Sequence, residues 1–340
     1  MESGFLIKCN LRRKKVFVPI LNQMVLLFAF IIVGFILSRC KLIPDNTATV
    51  LSKLENMIFM PALVMGTLIK NCTVEMLGTY WKALVLGVGL AVVLIPVSLV
   101  VAKWCFKENY LRKIAGYGLA FSNFGFMGNA IMQGAFGDEA FAYYIIYTLP
   151  IWSCIYLWAV PVLLIAGEEK KSFAQRLKSF FNPMLIAMII GVILGLTGLG
   201  KLLPTSIIST EAGKSGFIDV AGACMSPIAM MLTGITIGKI DLLAFIKKWR
   251  IYVVSIVKLV VYPLAFIAVF AFIPQNSFIN ETFLISTMCV MCMPMGLNAI
   301  VIPAAYGKDT TDAAGMALIT HAIAVGTIPL MFWMLQTFVL

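Results

Sequence analysis

The chain is 340 residues long, 61% hydrophobic and 12% charged, with a formal charge of +11 and a mean hydropathy of +0.99. Soluble domains are about a quarter charged, so this composition excludes a globular surface in water. The positive charge does not mark a nucleic-acid surface; it fits Lys and Arg of short cytoplasmic loops facing anionic headgroups.

Apolar runs such as LNQMVLLFAFIIVGFIL and ALVLGVGLAVVLIPVSLVV come close to the ~20 residues a spanning helix needs. Lipid leaves only helices and closed barrels to satisfy the backbone, and no strand-like alternation is visible. The chain is therefore predicted to be an all-α integral membrane protein. Broken at charges, Gly and Pro, it yields ten segments, at 17–38, 48–70, 80–105, 112–135, 139–166, 182–200, 216–238, 250–273, 282–305 and 311–338. The first follows MESGFLIKCNLRRKKV. Its apolar run is too long for a cleaved signal and lacks a small-residue cleavage site, so it reads as a spanning helix. The eight cysteines read as small buried hydrophobes, and the pair Cys289 and Cys292 lies inside a predicted helix, without the strand context of a redox motif.

Orientation follows from the loops. Those after odd-numbered segments carry fifteen Lys and Arg, including Arg39, Lys41, Lys103, Lys170, Lys239, Lys248 and Lys308; those after even-numbered segments carry four, Lys70, Lys82, Lys201 and Lys214. The odd loops, with the long one between the fifth and sixth segments, are expected in the cytoplasm and both termini outside, in a multi-pass protein of the cell membrane. The tail with Lys8, Arg12, Arg13, Lys14 and Lys15 runs against this count, and one reading is that the native start lies downstream.

The chain also repeats itself. GNAIMQGAFGDE from Gly128 matches LNAIVIPAAYGKD from Leu297, with Asn298 standing 169 residues after Asn129. MPALVMGTL around Pro61 matches SPIAMMLTGI around Pro227, 166 residues on. Two matches at nearly one offset indicate a duplicated five-helix unit, residues 1–170 and 171–340. Five is odd, so the second copy enters the membrane inverted.

Two of the matched segments are interrupted, SNFGFMGNAI at 122–131 and CMPMGLNAI at 292–300. Each Gly costs about 1 kcal/mol against Ala in a helix, and Pro294 removes a backbone hydrogen bond. The freed backbone groups are expected to be satisfied by a cavity, water or a substrate. Half-helix N-termini meeting at the midplane would favour an anion, and the amides of Asn123, Asn129 and Asn298 add donors and acceptors without fixed charge. The candidate substrate site is Asn123, Gly125, Gly128, Asn129, Pro294, Gly296 and Asn298; the competing reading is that these glycines only permit close helix packing.

Ionisable and polar groups in apolar segments are functional by default. Glu55, beside Asn56, would hold a coupling proton or sodium, pair with Lys53, or snorkel to the interface. Asp219 is a coupling candidate or a wet helix end, Lys258 a structural counter-charge or an anion contact, and His321 a packing residue or a proton relay. Nothing pairs His321 with other ligands at metal spacing, and no phosphate-binding Gly-rich loop exists. No metal and no cofactor are expected, and transport would be driven by a gradient.

The stretches LSKLENMIFMPALV, NFGFMGNAI, SPIAMMLTGITIG, VKLVVYPL, MPMGLNAIVIPAAYG and THAIAVGTIPL, in that order, resemble the auxin efflux carrier family in its prokaryotic permease branch. The resemblance implies ten helices in two inverted repeats, the fourth and ninth crossing as broken helices, and alternating access around them. It also implies transport of small organic anions, such as auxin in plants and malate- or malonate-type carboxylates in bacteria. The first, second, sixth and seventh helices would form a scaffold and a homodimer contact. Three positions bear on the comparison. Ala130 stands where the family often has Pro, Lys258 where it often has Lys or Arg, and His321 where it usually has a small hydroxyl residue. Rival classes are a membrane-embedded anion sensor and an intramembrane enzyme; neither an output domain nor a catalytic arrangement is visible.

Overall fold

The computed structural model describes residues 17–164, 183–209, 215–239, 248–305, 308 and 310–340. Among these the chain is helical, with a single isolated bridge of extended backbone. The basic N-terminal tail, the loop between the fifth and sixth segments and the proposed division at 170/171 lie outside the described residues.

The helices are α1 (Phe17–Arg39), α2 (Thr47–Leu54), α3 (Met60–Asn71), α4 (Leu77–Cys105), α5 (Asn109–Ala120), α6 (Asn129–Cys154) and α7 (Pro183–Thr197). They continue with α8 (Phe217–Ala223), α9 (Met225–Gly238), α10 (Trp249–Ile256), α11 (Tyr262–Phe270), α12 (Glu281–Cys292), α13 (Asn298–Ala305) and α14 (Thr311–Phe338). Helix ends fall within a few residues of the expected segment ends, because runs of apolar residues rather than local propensity define them.

Seven helical stretches among the described residues are long and apolar enough to cross a membrane, and two shorter apolar helices, Pro183–Thr197 and Glu281–Cys292, accompany them. The protein is a multi-pass membrane protein. One stretch, Phe124–Leu164, is 41 residues long. At 1.5 Å per residue it would reach about twice the hydrocarbon thickness. Gly137 divides it, with φ 85° and ψ 175°. Only Gly adopts that conformation without strain, so the chain turns there.

Among the described residues four π-helical stretches interrupt the helices: Glu55–Phe59, Phe124–Gly128, Ile155–Leu164 and Val257–Val261. Two of them end two residues before a proline, Pro61 and Pro263. A proline donates no backbone hydrogen bond and its ring crowds the carbonyl four residues back, so the preceding turn widens.

With no water to expel from between helices in lipid, association depends on close packing. α1 buries Ile20, Met24, Leu27 and Ile31, and turns Val25, Leu26, Ile32, Val33 and Ile36 outward. It packs on α9. A Cβ on Gly34 would stand 2.2 Å from the Met231 carbonyl oxygen, and one on Gly234 would stand 2.0 Å from that of Ile31. The two backbones therefore touch through a small-xxx-small seam that includes Gly234 and Gly238. α3 packs on α7 in the same way, against Gly191 and Gly195. Cys40, just beyond the apolar run of α1, is exposed, and Cys105, Cys154 and Cys224 are half-buried, which corrects the reading of every cysteine as buried.

Candidate functional site

The two interruptions meet. α5 stops at Ala120, and Phe121 leaves it with φ −117° and ψ 98°. α12 stops at Cys292, and Met293 leaves with φ −70° and ψ 146°. Between these extended stretches Ser122 and Met295 form an antiparallel bridge. The Asn123 backbone N–H donates to the Pro294 carbonyl at 2.7 Å, and the Gly296 N–H donates to the Phe121 carbonyl at 3.3 Å. Beyond the crossing the chain resumes as the π-helical turn Phe124–Gly128 and as α13.

Side chains satisfy what the bridge leaves over. Ser122 Oγ donates to the Val290 carbonyl at 2.7 Å, and Lys258 Nζ donates to that of Leu119 at 3.0 Å. Both carbonyls lie in the last turn of a severed helix, where no intrahelical donor remains. The Met295 N–H reaches Thr320 Oγ1 at 3.2 Å, and the Tyr144 hydroxyl donates to the Phe124 carbonyl at 3.2 Å. This corrects the expectation that the freed groups need water, a cavity or a substrate: the crossing itself and its neighbours supply the partners named here.

The predicted site residues divide by what they touch. Pro294 and Gly296 carry the crossing. Asn123 is buried, and its Nδ2 lies 3.3 Å from His321 Nε2. His321 Nδ1 lies 2.7 Å from the Ala317 carbonyl, which only accepts. That places a proton on Nδ1, and His321 thereby links the Ala317 carbonyl to the Asn123 amide. The Asn298 side chain hydrogen-bonds the Tyr117 hydroxyl. Asn129 is 5% exposed and caps the π-helical turn through its backbone N–H.

Gly125 and Gly128 serve the packing reading. A Cβ on Gly125 would stand 2.5 Å from the Trp152 ring, and one on Gly128 would stand 2.4 Å from the Tyr144 hydroxyl. Tyr144 and Trp152, and Phe124 against the Trp152 ring, are all buried.

The ionisable candidates are placed differently from one another. Glu55 is fully buried rather than snorkelling, and neither carboxylate oxygen has a hydrogen-bond partner among the described residues. Asn56 turns back on its own helix, with Nδ2 donating to the Ser52 carbonyl at 2.7 Å. Lys258 is fully buried and lies 5.9 Å from the centre of the Tyr262 ring.

Asp219 pairs with Lys70 at 2.6 Å and accepts from the backbone N–H groups of Ser209 and Gly216, both at 2.9 Å. It is an N-terminal anchor of α8. The pair lines a cleft of about 360 Å³ with Gly66, Gln133, Asp138 and Gly222. Lys70 did not stand out in the sequence as a site residue. Its only signal was scarcity, as one of four Lys and Arg in the loops predicted to lie outside.

No curated protein matches the chain. The sequence profile of one family, described as membrane transport protein, matches residues 19–333. That span is nearly the whole chain, and the protein belongs to this family of membrane transporters, the auxin efflux carrier family.

Proposed function

We propose that the protein is a secondary active transporter of small organic anions, carboxylates in particular, working by alternating access around the crossed interruptions. The observation that carries the reading is the antiparallel pairing of Phe121–Asn123 with Pro294–Gly296 in the interior of a helical membrane protein. Four helix ends converge there, and the half-helix N-termini offer partial positive charge to an anion. Asn129 and Asn298 stand at the starts of the two resumed helices and are the residues proposed to face the substrate.

Packing supports an inverted repeat. The first segment lies on the seventh and the second on the sixth, while the third lies on the fifth and the eighth on the tenth. Exchanging the two halves turns each of these contacts into its counterpart. In the proposed cycle, the paired scaffold segments stay fixed while the bundle with the crossing moves. A gradient of protons or sodium drives it, and the scaffold face offers a homodimer contact.

The test is flux of labelled small carboxylates in proteoliposomes under imposed proton and sodium gradients, with Asn129→Ala and Asn298→Ala beside the parent. Gradient-dependent flux of one carboxylate, lost in both variants with folding intact, is the expected result. Flux that survives both substitutions moves the site elsewhere. An anion that stabilises the protein thermally without crossing would overturn the transport reading in favour of a sensor.

A further inference from the structure

The transport reading leaves open which ion couples, and one side chain bears on that choice. Glu55 has zero exposure, and both its oxygens lack a partner among the described residues. An isolated carboxylate removed from water is among the most expensive groups a protein can bury, far more so than the neutral acid. A residue placed this way either pairs with a cation or keeps its proton.

Among the described residues the surroundings offer no such cation. The π-helical turn Glu55–Phe59 packs against α2, α3, α7, α8 and α9. Charged side chains on those elements are Lys53 on α2, Lys70 on α3 and Asp219 on α8, while α7 and α9 carry none. Lys53, two residues away, is exposed. Lys70 and Asp219 are bonded to each other. No cation among them is left to answer Glu55.

The turn is also joined to the crossing. The Met60 N–H donates to the Glu55 carbonyl and closes the widened turn ahead of Pro61. The far end of the Met60 side chain, Cε, stands 3.4 Å from where a Cβ on Gly125 would be. A π-helical turn is a local defect that re-forms at small cost, and such turns recur at functional sites. Movement of the Phe124–Gly128 turn past α3 would therefore be felt by the turn that holds Glu55.

We propose that Glu55 carries the coupling proton, so that substrate crosses together with H⁺ rather than Na⁺. In the arrangement described here the carboxyl is the neutral acid. When the moving bundle separates from α3 and water reaches the turn, the O–H bond breaks and the proton leaves to that side. The carboxylate is then stable only while hydrated, so the turn stays open to water as the empty carrier returns, and the carboxylate takes a proton from water on the original side before the turn closes again over the neutral acid. No redox step is involved, and one proton is carried per cycle.

The experiment has two arms, because the proposal rests on the transport reading. Proteoliposomes holding the parent or E55Q are assayed with labelled malate for equilibrium counterflow and for net uptake driven by a pH gradient. Counterflow needs binding and alternation but no net proton movement. Parent and E55Q should both show it, within about twofold of each other. Only the parent should respond to the pH gradient, with accumulation rising about tenfold per pH unit for one proton per cycle.

E55Q uptake that still follows the pH gradient, or parent uptake that follows a sodium gradient instead, overturns the proposal. The second arm needs no substrate. Infrared spectroscopy of the parent at neutral pH should show a carboxylic-acid C=O band that E55Q lacks, and its absence from the parent overturns the proposal as well. If the parent shows no counterflow, carriage of malate fails, and the infrared arm still decides the state of Glu55.

Discussion

Lys258 Nζ donates to the Leu119 carbonyl at 3.0 Å, so a buried lysine closes the severed end of α5. The neighbouring carbonyl of Tyr117 is already taken by the Phe121 N–H at 2.8 Å. Leu119 has no such neighbour, and the helix end carries partial negative charge. The same contact partners Lys258 Nζ without a carboxylate, favouring the structural reading of Lys258 over an anion contact.

Lys258→Met keeps the volume and loses the donor. An orphaned buried carbonyl costs about 1–3 kcal/mol, so the variant should unfold at a lower temperature in detergent. An unchanged or higher Tm would mean that burying the ammonium costs as much as its bond returns, as buried charges can.

Gly234→Val should disrupt the seam between α1 and α9. Its Cβ would sit 2.0 Å from the Ile31 carbonyl oxygen, which no rotamer relieves, and overpacking of this kind costs typically 1–3 kcal/mol or more. Gly89→Ala in α4 is the control, since nothing lies within 4 Å of its Cβ position. Helix propensity there favours Ala by about 1 kcal/mol. Folded yield by size-exclusion chromatography should fall for the first and hold for the second; equal yields would refute the packing account.

Lys70 and Asp219 should not be equivalent. Their side chains are 32% and 14% exposed, and a partly exposed ion pair is worth at most about 1 kcal/mol. Asp219 also anchors two backbone N–H groups, a capping role worth about 1 kcal/mol by itself. Asp219→Ala should therefore lower Tm more than Lys70→Ala, and added salt should narrow only the part due to the pair. Equal losses, both abolished by salt, would reduce Asp219 to a simple counter-ion.

Much of this was legible in the sequence, for physical reasons. Lipid forces helices, so hydropathy alone places α1, α4 and α14 within a few residues of their ends. The interruptions at Ser122 and Pro294 were visible because Gly and Pro are the residues that weaken a helix. Their partners were not visible. Val290, Leu119 and Thr320 contribute a carbonyl or hydroxyl that almost any sequence could supply, and only the crossing selects them. The pair of Lys70 with Asp219 spans 149 residues and leaves no local periodicity to detect. Pro61 and Pro263 are the residues from which the widened turns before them could have been read. The full burial of Glu55 was hidden, because a lone acid in an apolar run looks the same whether it faces a neighbouring helix or the interface.

The bridge between Ser122 and Met295 has one further consequence. Its bonds run between backbone groups, at Asn123 to Pro294 and Gly296 to Phe121, and main-chain atoms are the same in every residue. Substitutions at Phe121, Ser122 or Met295 can alter the size and polarity of the surroundings while those two bonds remain available. Durability of the junction and the character of its surroundings are thereby assigned to different atoms. Under the proposed transport reading, the surroundings of such a junction can change to suit another passenger molecule while the junction itself is kept.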